Sequence, residues 1–174
     1  MNSLVELLKI TIPAAVVFAA VYFLVKRFLD NDQKRREHQL KTSAQAIITP
    51  LKIQAYERII IFLERINPNS LVVRVNKNNM TARQLHIDLI STVKSEYEHN
   101  LSQQIYISEG AWQFVKTAKE EIIQLINISS SKVPSDAVSS DLAIMILNIT
   151  ANLDKKLPSD VAIDFIKKEI ALTL

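Results

Sequence analysis

From Ile10 to Val25 the chain carries no charged residue, and Lys26 and Arg27 end the run abruptly. Few structures accept an apolar stretch of that length. Counting Leu7 and Leu8 it makes about 19 residues, or roughly 28 Å of helix, close to one bilayer core. The span Leu4 to Arg27 therefore predicts a transmembrane helix. A cleaved secretory signal fits less well, because Met1 to Lys9 holds Glu6 and a single Lys, and Ala19-Ala20 lies inside the apolar run rather than after it. Pro13 near the start is compatible with a membrane helix, where a freed carbonyl finds another partner.

Charge gives such an anchor a direction. Residues 1 to 41 hold seven Lys or Arg against four acids, and residues 42 to 174 hold fourteen of each, so the whole surplus of +3 lies next to the span. The positive-inside rule then predicts an inner (cytoplasmic) membrane protein crossing once, with its N-terminus outside and its C-terminal domain in the cytoplasm. Lys26, Arg27, Lys34, Arg35 and Arg36 either set topology alone or also touch anionic lipid headgroups. Because the remainder is balanced, the basic pI of about 9.1 gives no reason to expect nucleic-acid binding.

Three segments follow from composition: an anchor over 1–28, a charged helical stalk over 29–49 and an all-α domain over 50–174. The stalk is rich in helix formers and poor in large apolar groups until Ile47 and Ile48. Pro50 should end or turn it, since the residue before a proline is pushed out of helical geometry. Leu51 to Ile66 reads as a helix with apolar residues around most of its circumference, and Leu71 to Val75 as a short helical turn between two Asn-rich turns. Thr81 and Gln84 form a capping box for a helix to about Glu98. Ser108 caps another through Ile128. Pro134-Ser135-Asp136 and Pro158-Ser159-Asp160 both read as helix starts, with Leu142 to Leu153 as the central helix of the core between them. The domain is thus expected to be a bundle of about five helices.

The composition excludes much chemistry. One glycine, Gly110, leaves no Rossmann or phosphate-binding loop, and the absence of cysteine removes disulfides, thiolate nucleophiles and Cys-ligated zinc. Glu96-Tyr97-Glu98-His99 places Glu and His on one helical face, as di-iron carboxylate bundles do, but no second copy exists elsewhere in the chain. No cofactor is expected. His86, on an apolar face, reads as a hydrogen-bonded core histidine. Trp112 is either a packing residue or an anchor for a partner. Glu57, Arg58, Glu64 and Arg65 recur seven residues apart, so they form either a solvated edge or an ion-pair network at an interface.

The runs Gln54-Ala55-Tyr56-Glu57-Arg58, Phe62-x-Glu64-Arg65, Glu96 through Tyr106, and Ala118-Lys119-Glu120-Glu121 with Trp112 resemble a family of single-pass membrane-anchored helical proteins of Bacteroidota. The resemblance covers roughly residues 50 to 128 and implies architecture but no activity. The expected function is a membrane-anchored, non-enzymatic interaction or scaffold protein whose partners are membrane lipid and a protein, or a second copy of itself. Its interaction residues would be Glu57, Arg58, Glu64, Arg65, Glu96, Glu98, His99 and Trp112. The alternative is a metal-dependent or hydrolytic enzyme using the region from Glu96 to His99.

Overall fold

The structure, a computed structural model, describes the backbone of residues 2–173 and the side chains of residues 11, 12 and 15–172. Its described residues are helical throughout apart from turns and one isolated bridge between Thr81 and Val138. The helices are α1 (Asn2–Ile66), α2 (Pro68–Val75), α3 (Ala82–Asn100), α4 (Glu109–Ser130), α5 (Ser139–Ala151) and α6 (Pro158–Thr173), with a 3-10 turn over Leu101–Ile105. The chain divides into two compact units, Met1–Thr49 and Pro50–Leu174.

In the first unit the expected anchor fails. Among the described residues, no helix is long and apolar enough to cross a membrane. The uncharged run with described side chains, Ala15 to Val25, has eleven residues, which reach about 16 Å, roughly half a bilayer core. The side chains of Leu4 to Ile10, Pro13 and Ala14 of the expected span lie outside those described. The single-pass reading of residues 1–28 therefore falls, and with it the inner-membrane location, the outside N-terminus and the cytoplasmic C-terminal domain. Lys26, Arg27, Lys34, Arg35 and Arg36 are exposed along α1, where Arg36 pairs with Asp32 one turn away at 2.9 Å.

Pro50 also behaves differently from expectation, because Thr49 and Pro50 are both helical. A proline inside a helix removes one backbone donor, a cost that a long helix with good formers on both sides can carry.

The core lies in the second unit. From Ala55 onward α1 buries Tyr56, Ile59, Phe62, Leu63 and Ile66, a stripe at helical spacing. Against it stand Leu71 and Val72 of α2, Leu85, Leu89 and Val93 of α3, and Val115, Ile122 and Ile126 of α4. α4 packs against α3, α5 and α6. α5 packs against α2, α3 and α4 and turns Leu142, Ala143 and Ile146 inward, but its Ile144 is 57% exposed, so it is less enclosed than its apolar composition predicts.

Local chemistry sets the ends. Thr81 accepts from the Gln84 backbone N–H and Gln84 accepts from that of Thr81, closing the capping box of α3. Ser108 Oγ accepts from the Ala111 N–H at 3.0 Å and opens α4. Pro158 begins α6, as its triplet predicts, but Pro134-Ser135-Asp136 is a turn and α5 starts only at Ser139. The reason is tertiary. Ser135 and Ala137 carbonyls accept from the Arg83 and Ala82 N–H groups, so this segment caps the start of α3 instead of opening its own helix. Asn79 takes a left-handed φ of 66° in the turn before α3, a conformation that Asn tolerates better than most residues.

Candidate functional site

Two helical stripes meet near the C-terminal ends of α1 and α3. On α1, Arg58, Ile61, Phe62 and Arg65 recur at intervals of three and four, and on α3, Glu96, His99 and Asn100 do the same. Together they line a groove of about 320 Å³. Phe62 and Asn100 are buried at its base, whereas Ile61 is 49% exposed and gives the groove an apolar wall open to solvent. Asn100 is held by donating to the Glu96 carbonyl at 2.8 Å.

Glu96 is the electrostatic centre. Its Oε1 accepts from Arg65 Nε at 2.7 Å and lies 2.6 Å from Arg65 Nη2, and it also accepts from Arg74 Nη1 at 3.0 Å. Arg74 Nη2 in turn donates to the Arg65 carbonyl at 2.9 Å, which fixes the end of α1 to α2. Burial pushes the Glu96 carboxyl up, but the two guanidinium hydrogen bonds and their charges outweigh it and hold the group below the usual carboxylate range. Two guanidinium charges on one carboxylate leave the cluster positive. Arg58 adds another base with no ion pair among the described residues.

The sequence-predicted residues separate into three groups. Arg58, Arg65, Glu96 and His99 share the groove. Glu57, Glu64 and Glu98 are exposed and have no ion pair among the described residues. Trp112 is 5% exposed and stacks on Tyr97 at 5.5 Å, while the Tyr97 ring also meets Phe62 at 6.1 Å and Lys119 Nζ at 4.5 Å, so Trp112 packs in the core. His86 forms its hydrogen bond, through Nε2 to Asn127 Oδ1 at 2.8 Å, while half-buried.

Two members of the charged networks have no visible signal in the sequence. Arg74 closes the Glu96 cluster from the last turn of α2, a segment too short to show a face. Glu169, beside Lys167 and Lys168 on α6, has the look of a solvated position but accepts from Tyr56 Oη, from Ser108 Oγ and from the Ser108 N–H. Burial raises the Glu169 carboxyl, but bonds from the Ser108 hydroxyl, Tyr56 and the Ser108 amide, with the Lys52 charge, pull it below its ordinary value. Burial and then the Glu169 bond and charge push the Tyr56 phenol up.

No group of three or more His, Cys, Asp or Glu among the described residues could hold a metal ion. Glu96 is also turned toward two guanidinium groups, whose charges oppose a cation at the Glu96-His99 face. The groove presents donors held in place around a modest apolar wall.

Residues 2–173 match the family described as a family of unknown function, DUF7935. The match covers nearly the whole chain rather than residues 50 to 128 alone, and it carries neither the membrane anchoring nor the Bacteroidota origin that the resemblance implies. No curated protein and no solved structure matches.

Proposed function

We propose that this chain, which belongs to the DUF7935 family of unknown function, is a non-enzymatic interaction module that binds a partner protein in the groove between α1 and α3. The observation that carries this reading is the groove itself, where Arg58, Arg65 and His99 line the same walls as Glu96 next to the exposed Ile61. Interfaces favour that mixture of arginine with a small apolar centre. Arg65 and Arg74 are positioned before any partner arrives, which lowers the ordering cost of binding.

The test is photo-crosslinking with the full-length chain in cells. A crosslinker replacing Ile61 should trap a discrete adduct that Arg58→Ala abolishes, and one replacing Ile144, equally exposed on α5, should not. An adduct of twice the chain's mass would make the partner a second copy. Equal adducts from both positions, or none from Ile61, would overturn the reading.

A further inference from the structure

The groove does not end at Glu96. α3 carries Asp88, Thr92, Glu96 and His99 at spacings of four, four and three, one polar stripe along a single helical face. At the Asp88 end lies a second groove of about 320 Å³, lined by Arg74, Val75, Lys77, Asp88, Ser91 and Thr92. Arg74 joins the two grooves, because the side chain that lines the second donates to the Glu96 oxygen already bound by Arg65 in the first. The result is one strip with four bases, Arg58, Arg65, Arg74 and Lys77, against two acids, Asp88 and Glu96. Arg58 near one end and Lys77 near the other have no ion pair among the described residues. From Asp88 to His99 the helix rises about 16 Å.

Resting on the interaction reading above, we infer that this strip holds an extended acidic segment of the partner protein, about five residues long at roughly 3.3 Å per residue. Carboxylates at the two ends of the segment meet Arg58 and Lys77, and an apolar side chain between them covers Ile61. Charge complementarity selects this occupant. The strip's surplus of two positive charges matches two carboxylates, whereas a polyphosphate brings more charge than the surplus, is opposed by Asp88 and Glu96, and has nothing to place on Ile61. Alternate residues of an extended chain share a face, so acid, apolar and acid at the first, third and fifth positions all point into the strip.

A fluorescein-labelled pentapeptide with Glu at its first and fifth positions, Leu at its third and Ser between tests the idea on the full-length chain. Binding should weaken as salt rises and fall about tenfold with Arg58→Glu or Lys77→Glu, because each reversal replaces an attraction by a repulsion. Lys132→Glu, an exposed reversal in the turn after α4 that lines neither groove, should leave it unchanged. Melting temperatures of all three variants should match the parent, since each changes an exposed side chain. Equal binding of the peptide with Gln in place of Glu would overturn the acidic partner, as would tripolyphosphate displacing the peptide at lower concentration than free peptide does. Sensitivity to Arg58→Glu without sensitivity to Lys77→Glu would confine the ligand to the first groove and overturn the strip. If Ile61 traps an adduct but the peptide does not bind, the acidic segment fails and the groove reading stands; if neither occurs, both fail.

Discussion

From Ala15 to Thr49 nearly every described side chain of α1 is exposed, whereas Pro50–Leu174 buries a core in which Phe62, Leu63, Leu85, Leu89 and Ile122 have no exposed surface. The hydrogen bonds differ in the same way. Side chains of the first unit bond one helical turn away, as in Arg36 to Asp32, Gln33 to Glu37 and Thr42 to His38. In the second unit they cross 31 positions from Arg65 to Glu96 and 113 from Tyr56 to Glu169. One region keeps its helix by local propensity and neighbouring pairs, each contributing a few tenths of a kcal/mol. The other is held by packing, and only there do distant residues converge into a site.

The contrast can be broken most forcefully in the core. Phe62→Ala should destabilise the second unit by about 3 to 5 kcal/mol, while Leu40→Ala, at a position 71% exposed, should stay within about 0.5 kcal/mol. Urea titrations followed by Trp112 fluorescence measure the first directly, and similar midpoints for both variants would erase the distinction between the units.

Next comes Glu169→Gln, which removes the charged acceptor from Tyr56 and Ser108 and should cost about 1 to 3 kcal/mol. The acid dependence sharpens it. Glu169 and Glu96 both have folded-state values below the unfolded carboxyl, so their contribution is present above about pH 4.3 and is lost as pH falls through the depressed values. Tyr56 works in the opposite sense: its raised value gives stability that is full below about pH 10 and fades as pH rises toward the folded value. Glu169→Gln should therefore flatten part of the acid limb of thermal unfolding; an unaltered limb would assign acid sensitivity elsewhere.

A smaller change is expected for Glu96→Gln. Arg65 is half exposed and Arg74 about a third, so solvent screens the pairs and the loss should be about 1 kcal/mol. Calorimetry in low and high salt should show the gap between variant and parent narrowing with salt. Least of all, Asp32→Asn in the first unit should change stability by no more than about 0.5 kcal/mol. A larger effect than that of Glu96→Gln would reverse the ranking of the two regions.

These differences also explain what the sequence could convey. The starts of α3, α4 and α6 were legible because Thr81 with Gln84, Ser108 and Pro158 act within one helical turn. Pro134 has the same local grammar as Pro158 but opens no helix, because its segment is drawn to the α3 N-terminus, which no window around residue 134 contains. Pro50 reads as an end or a turn of the stalk only because local sterics are all that the sequence around it shows. The apolar run after Ile10 suggested an anchor that the described residues do not supply. At the candidate site, charge spacing singled out Arg58, Arg65, Glu96 and His99 separately. Their meeting, the capture of Arg74 and the hidden role of Glu169 depend on how helices cross, which periodicity cannot state.

The Tyr56 to Glu169 bond has a consequence in time as well as in space. At ordinary synthesis rates of about 5 to 20 residues per second, Tyr56 leaves the peptidyl-transferase centre roughly 6 to 20 s before Glu169 is made. Asn67, which reaches Ser159 and Asp160, waits almost as long. Until Glu169 is made, the Tyr56 phenol and the Ser108 hydroxyl lack the acceptor they share in the finished fold. A chain released before Pro158 would therefore lack its closing helix, leaving the α4 surface that α6 covers open to factors that recognise exposed apolar groups.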